Sequence, residues 1–131
     1  MLAQALILRE ALSGIFSAIA QGDAPDSSEL ATLSSAYRAA QSQVGIGATP
    51  KGFALDWQKK EALDYPLWPV ARSAVEVLVS PEVKWVHVCE GEDCGWLFLD
   101  MSRNHSRRWC DSQDCGNRVR VRRHYQRGRE T

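Results

Sequence analysis

All four cysteines of the chain fall between Cys89 and Cys115, in a stretch that reads CEGEDCGWLFLDMSRNHSRRWCDSQDC. They form two pairs, with four residues inside each pair and 15 residues between the pairs. No other feature constrains the fold as strongly. Two short knuckles with two thiolates each can converge on one tetrahedral ion, and an ion held in that way contributes folding free energy directly. The rival readings are weaker. A thioredoxin-type redox centre needs C-x-x-C beside a βαβ pattern, and neither is here. Two structural disulfides suit a secreted chain, but the N-terminus lacks a basic region, an apolar core and a small-residue cleavage site, so a reducing cytoplasm is expected. Four unrelated buried cysteines would not occur as matched pairs.

With Cys89, Cys94, Cys110 and Cys115 as ligands, the donor set is all sulfur. Soft thiolates in tetrahedral array favour Zn²⁺, with iron as the main competitor. Four ligands fill the shell, so one structural zinc ion is expected, with no open position for catalysis. Such a centre carries a formal charge of −2, which neighbouring arginines would offset. Arg108 and Trp109, directly before Cys110, are placed to shield it. Gly91 in the first knuckle is expected to supply a positive φ. Gly116 and Asn117 follow the second knuckle at what reads as a helix start.

The flanking residues carry a family resemblance. Cys115-Gly116-Asn117-Arg118 spells the motif for which the CGNR zinc fingers of bacterial proteins are named. Cys89, Cys94, the strand Trp96 to Asp100, Ser102, Asn104, Ser106 to Cys110 and the basic run Arg122-Arg123-His124-Tyr125 fit the same pattern. Val86 to the C-terminus therefore resembles a CGNR finger. The upstream part resembles the α-rich ABATE domain that precedes such fingers, chiefly through Leu8-Arg9-Glu10-Ala11-Leu12 and its helical patterning. The resemblance implies zinc binding and, through the family's description as stress-induced transcription regulators, DNA binding. It also implies roles in the fold for Asp100, Asn117 and Arg118. Relatives carry a strand and a helix before the segment that opens this chain. The first domain is thus expected to be truncated, to start elsewhere, or to be completed by a partner.

Charge divides the chain as the motif does. Residues 1–83 hold six basic and nine acidic groups, and residues 84–131 hold ten basic and seven acidic. From Arg103 onward nine arginines face three acids. A basic tail on a metal scaffold suggests an acidic partner, nucleic acid first. At 100° per residue Arg118, Arg122 and Arg129 form one stripe of the last helix, and Arg120, Arg123 and Arg127 another. If Val121 and Tyr125 pack inward, the first stripe flanks the core. Arg120, Arg123 and Arg127, extended by Arg107 and Arg108 from the preceding loop, are then the expected phosphate contacts. One of the two loop arginines is expected to pair with Asp100.

In chain order, Leu2, Ala5, Leu12, Ile15, Phe16 and Ile19 recur at helical steps over residues 2–20, and Gly22 ends that helix. Asp26-Ser27-Ser28-Glu29 has capping-box spacing ahead of a second helix over about 27–42. The short connection implies that these two helices pack antiparallel. Residues 44–58 read as a hairpin turning at Thr49-Pro50-Lys51-Gly52. Asp64 is expected to cap a third helix with Pro66 in its first turn, and Tyr65 and Trp68 read first as core aromatics and second as a pocket lining. A strand over 84–88, a second over 96–99, a return strand over 107–109 and a helix over 116–128 complete the finger.

The expected fold is α+β. Residues 1–82 form a mainly helical domain with a small hairpin, and 83–131 form a treble-clef-like four-cysteine finger ending in a basic helix. No apolar run free of charge reaches a membrane span. No G-x-S-x-G or H-E-x-x-H is present, and His87, His105 and His124 are not needed as ligands, so an enzyme is not expected. The leading function is a cytoplasmic DNA-binding transcription regulator. The alternative is a protein-interaction module, or an RNA binder, using the same basic surface. Apolar groups exposed at the start of the first helix make a homodimer the expected assembly.

Overall fold

A computed structural model describes residues 1–111 and 113–129. The chain divides into two compact units, Met1–Ile15 with Pro25–Pro81, and Phe16–Ala24 with Glu82 onward. The second unit thus draws on the end of the first helix as well as on the cysteine-rich part. Among the described residues the mixture of four α-helices with two small antiparallel sheets is the expected α+β class.

Helix α1 (Leu2–Ala20) forms over the expected residues. Its buried set is Leu8, Ala11 and Ile15, while Leu2, at the first helical position, is exposed. By length and composition α1 would also suit a membrane span. One narrow face of it packs inward and the opposite face carries charge. Its buried residues recur at steps of three and four, and Arg9 and Glu10 form an ion pair at 2.6 Å midway along it. The helix ends in a Schellman motif. Gly22 takes a φ of +80°, its N–H donates to Ile19 O at 3.0 Å, and the Asp23 N–H donates to Ala18 O at 2.8 Å.

Helix α2 (Ser27–Gln41) is capped by Asp26, whose carboxylate accepts from the Ser28 N–H at 2.7 Å. Glu29 lies against α1, where Gly14 leaves room for its carboxylate; a Cβ at Gly14 would overlap Glu29 Oε1. Side chains of α1 and α2 thus meet, as the short connection implies, but this is not the tightest helix pair. The main helix pair in this unit is α2 with α3 (Leu67–Leu78). The reason is side-chain size: buried Ala71 and Ala74 on α3, with Ala40 on α2, permit a close approach.

Strands β1 (Val44–Thr49) and β2 (Gly52–Trp57) form the expected hairpin, with Ile46 opposite Leu55 and Val44 opposite Trp57. The apolar residues of both strands share one face. Trp57 carries that face into an aromatic cluster with Tyr65 and Trp68, and its indole N–H donates to Ala40 O at 3.2 Å. Asp64 does not cap α3, whose N-cap position is Pro66. Its carboxylate instead accepts the Trp68 indole N–H at 3.2 Å. Trp68 is buried, in keeping with the core reading.

In the second unit a 3-10 helix spans Pro81–Trp85 where the alternation suggested the start of a strand. Proline fixes the φ that such a turn needs. Only Val86–Val88 (β3) is extended, and it pairs antiparallel with Leu97–Leu99 (β4), Val86 opposite Leu99. The first knuckle is therefore the connection of this hairpin. Residues 107–109 form no strand; a single backbone bond, from the Glu90 N–H to Arg108 O at 2.9 Å, ties them to the first knuckle. Helix α4 (Cys115–Arg129) starts on the last cysteine.

Candidate metal centre

The hairpin β3–β4 delivers Cys89 and Cys94, and the segment leading into α4 delivers Cys110 and Cys115. All four Sγ atoms lie within 4.8 Å of one another, with Cys89 and Cys115 buried and Cys94 and Cys110 half-buried. Cys94 Sγ and Cys110 Sγ are 3.7 Å apart, as are Cys110 Sγ and Cys115 Sγ. Zn–S bonds of ~2.3 Å in a tetrahedron require sulfurs about 3.8 Å apart. A disulfide would need about 2.05 Å. The donor set and its spacing thus fit one zinc ion, which fills its coordination shell with protein ligands and is structural.

Backbone N–H groups complete the environment of the sulfurs. Cys89 Sγ accepts from the N–H of Cys110 at 3.2 Å, across the two knuckles, and from the N–H of Gly91 at 3.4 Å. Burial pushes the Cys89 thiol up, but these donors, with the sulfurs of Cys94 and Cys110, outweigh it and bring the pKa down to about 7. Cys115 and Cys110 move the opposite way. The Cys94 sulfur first, then burial and the remaining sulfurs, push Cys115 up to about 12, and burial leads the upward shift of Cys110. Four sulfurs at this spacing cannot all shed their protons unless a cation takes their place.

Gly91 serves the centre differently from the sequence expectation. Its φ is not positive; Asp93 (φ 57°) and Gly95 (φ 64°) make the left-handed turns of this knuckle. Gly91 is glycine because sulfur occupies the space. A Cβ there would stand 3.1 Å from both Cys115 Cβ and Sγ, and 3.3 Å from Cys89 Sγ. Gly116 of the CGNR motif is likewise set by contact, since its Cβ would meet Trp109 Cε3 at 3.2 Å. Trp109 therefore packs against the start of α4.

Asp100 organises the loop between the knuckles and is fully buried, at 0% exposure. Its N–H donates to Trp85 O at 2.9 Å. Its Oδ1 accepts from the Ser102 N–H at 2.9 Å and from Ser102 Oγ at 2.5 Å, and its Oδ2 accepts from the Arg107 N–H at 2.9 Å. Burial opposes the charge, but the Ser102 and Arg107 donors prevail and hold the carboxyl below its ordinary value. The expected ion pair between Asp100 and a loop arginine does not form, because backbone N–H groups already occupy the carboxylate. The Arg107 guanidinium instead reaches Trp109 O at 2.8 Å and Cys110 O, and lies 4.9 Å from the Phe98 ring centroid. Arg108 pairs with Glu90 and covers Trp109 at 5.1 Å. His105 stacks on Trp85 with centroids 3.6 Å apart, and its Nδ1 stands 2.9 Å from Asp100 O. The sequence leads one to expect, for Asp100, Asn104 and Arg107, a loop held by side-chain hydrogen bonds and an Asp–Arg pair; the hydrogen bonds form around Asp100 and the pair does not.

On α4 the inward positions are Cys115, Gly116 and, half-buried, Val119. Val121 and Tyr125, the expected inward pair, are 46% and 69% exposed. Arg118 pairs with Asp114 at 2.6 Å, and Arg122 pairs with Glu92 of the first knuckle. The Asp114 carboxylate, with the charge of Cys115 and Cys94 behind it, holds the Arg118 guanidinium above its usual range. Arg120 and Arg123 are exposed and, among the described residues, take part in no ion pair. Arg127 and Asn117 are exposed on the same helix.

No curated protein matches the chain. Two families do. Residues 86–128 match the CGNR zinc finger, and residues 1–81 match ABATE, described as "putative stress-induced transcription regulator". The first match spans the whole sulfur cluster with its hairpin and helix, and the second spans the helical region before it. With most of its length in the second match and the two domains in the family's order, this chain belongs to the ABATE family and ends in a CGNR zinc finger.

Proposed function

We propose that the protein is a transcription regulator of the cytoplasm that binds DNA directly through its finger. The observation that carries this reading is the division of the arginines. Arg107, Arg108, Arg118 and Arg122 are committed to carbonyls or carboxylates of the finger itself. Arg120 and Arg123 stand exposed without an ion pair among the described residues, on a helix anchored at its first residue by the metal. Rigid anchoring with outward cations suits phosphate contact. Arg127 lies one turn further on and extends the row, whereas Arg107 and Arg108 serve it only secondarily. The filled coordination shell leaves the metal no substrate position, so the function proposed is binding rather than catalysis.

The test is binding of the zinc-loaded protein to short duplexes of random sequence over a range of salt concentrations. Arg120→Ala, Arg123→Ala and Arg127→Ala together should weaken binding, lower the salt slope by about 1 per lost contact, and leave zinc bound. Unchanged affinity at every salt concentration would remove α4 as the binding surface.

One observation favours a second reading. The finger's arginines pair repeatedly with carboxylates, Arg108 with Glu90 and Arg122 with Glu92. An acidic protein segment would meet the same geometry. Tighter binding to an acidic protein control than to duplex would move that reading ahead, and preference for single-stranded RNA would identify the remaining alternative.

A further inference from the structure

In the N-terminal unit, helices α1, α2 and the start of α3 flank an open cleft of about 280 Å³. Ile7 and Leu8 of α1, Ala36 and Ala39 of α2, and Leu67 and Trp68 of α3 supply an apolar lining. One charged group enters it. Asp64 lines the cleft, is half-buried, and has one carboxylate oxygen fixed by the Trp68 indole N–H at 3.2 Å. Among the described residues no lysine, arginine or histidine pairs with Asp64.

Removing a carboxylate partly from water is unfavourable unless a cation or several donors compensate. Asp100 in the finger shows what full compensation looks like, with donors on both oxygens. Asp64 has an indole, which orients it, and an apolar cavity beside it. Shape and charge therefore suit a short apolar body, no larger than one ring and a short chain, carrying one positive charge at Asp64, with Gln4, Thr32 and Ser35 as the polar part of the lining.

We propose that this cleft binds a small primary ammonium compound, with its apolar part among Ile7, Leu8, Ala36, Ala39 and Leu67 and its ammonium at Asp64. The indole of Trp68 serves twice, as a wall of the cleft and as the donor that aims the carboxylate. The site is separate from the arginines of α4, and it stands or falls independently of the DNA-binding reading.

The probe is 2-phenylethylammonium, titrated into the full zinc-loaded chain and followed through the Trp68 indole N–H resonance. 2-Phenylethanol and phenylacetate serve as neutral and anionic comparators. The ammonium should bind saturably and at least about tenfold more tightly than the alcohol, with phenylacetate weakest. Asp64→Asn keeps an acceptor for the indole, so the unit should remain folded while the preference for the ammonium disappears. Ala39→Leu fills the cleft and should remove binding of all three compounds with zinc content unchanged. If that variant does not fold, Asp64→Asn and the comparator series decide alone. Equal binding of alcohol and ammonium, tighter binding of phenylacetate, no saturable ammonium binding, or an unchanged preference in Asp64→Asn each overturn the assignment.

Discussion

The two units are held together by different kinds of interior. In the N-terminal unit the buried side chains are Leu8, Ala11, Ile15, Leu33, Ala40, Trp68, Ala71 and Ala74, all apolar and drawn from three helices. Among the described residues of the finger the buried side chains are Val86, Cys89, Cys115 and Asp100. One valine does not make a core. The finger replaces apolar burial with a metal centre and a hydrogen-bonded carboxylate, which is what a fold of this size requires. The N-terminal unit should therefore lose stability in small steps as its side chains are trimmed. The finger should fail nearly at once when the metal is removed, and lose a smaller part of its stability when the Asp100 network is broken.

The largest effect expected follows from removing the metal. Cys110→Ser, or chelation of zinc, should cost on the order of 10 kcal/mol of finger stability. Hydrogen exchange should show protection lost across β3, β4 and α4 while Ala71 and Ala74 on α3 remain protected. A metal-free chain with unchanged protection in α4 would erase the contrast between the units.

Acid should act on the same hub. Cys110 and Cys115 are raised above the ordinary thiol value of 9.0 and hold their protons at neutral pH, whereas Cys89, at about 7, is partly ionised. Zinc must displace those protons, so its affinity falls as pH falls. Below pH 7 the apparent affinity should drop by about a hundredfold or more per pH unit, reflecting at least two protons displaced. Competition with a chelating dye across that range measures the slope, and a slope near zero would contradict a thiolate cage.

The second hub gives the next effect. Asp100→Asn turns an amide N–H toward the Ser102 or Arg107 N–H, and the finger's melting temperature should fall by about 5 °C or more. The sign of its pH dependence is fixed by the depressed carboxyl. The stabilisation from Asp100 is present above the ordinary value of 3.8 and is lost as pH falls through the lower folded value. Thermal melts of parent and variant should therefore converge in acid and diverge toward neutrality.

Smaller effects sharpen the picture of each interior. Gly91→Ala pushes a methyl against Cys115 and Cys89, and should weaken zinc about tenfold without changing helix content in the N-terminal unit. On the other side, Trp68→Phe removes the hydrogen bond to Asp64 and should cost about 1 kcal/mol, read by denaturant melts. A larger loss at Trp68 than at Asp100 would reverse the proposed division of interiors.

The residues that announced themselves in the sequence were those whose chemistry depends on spacing. Cysteine pairs, the CGNR tetrad, the Asp26 cap and the hairpin turn at Pro50-Lys51 each act over a few residues, so the linear order carries their meaning. What stayed hidden depends on contacts between distant positions. Gly91 looked like a conformational glycine, yet its reason is sulfur from Cys115 on another element. Val121 and Tyr125 matched an inward stripe by angle, but the helix meets the finger through Cys115, Gly116 and Val119. Asp100 looked like a partner for an arginine side chain, and its real partners are backbone N–H groups that composition does not display. The pairing of α2 with α3 was likewise hidden, because an apolar face on each helix, alanines included, does not say which partner it meets.

The uneven burial of the sulfurs has a kinetic consequence. Cys89 and Cys115 are sealed within the finger, while Cys94 and Cys110, one from each knuckle and 3.7 Å apart, are half-open to solvent. Tight equilibrium binding therefore does not imply slow turnover of the ion. An incoming chelator meets Cys94 and Cys110 first and can loosen those two bonds while the sealed pair still holds. Isotopic zinc exchange is thus expected to proceed faster than unfolding of α4. The geometry that makes the centre strong also gives the ion a side on which to be handed over.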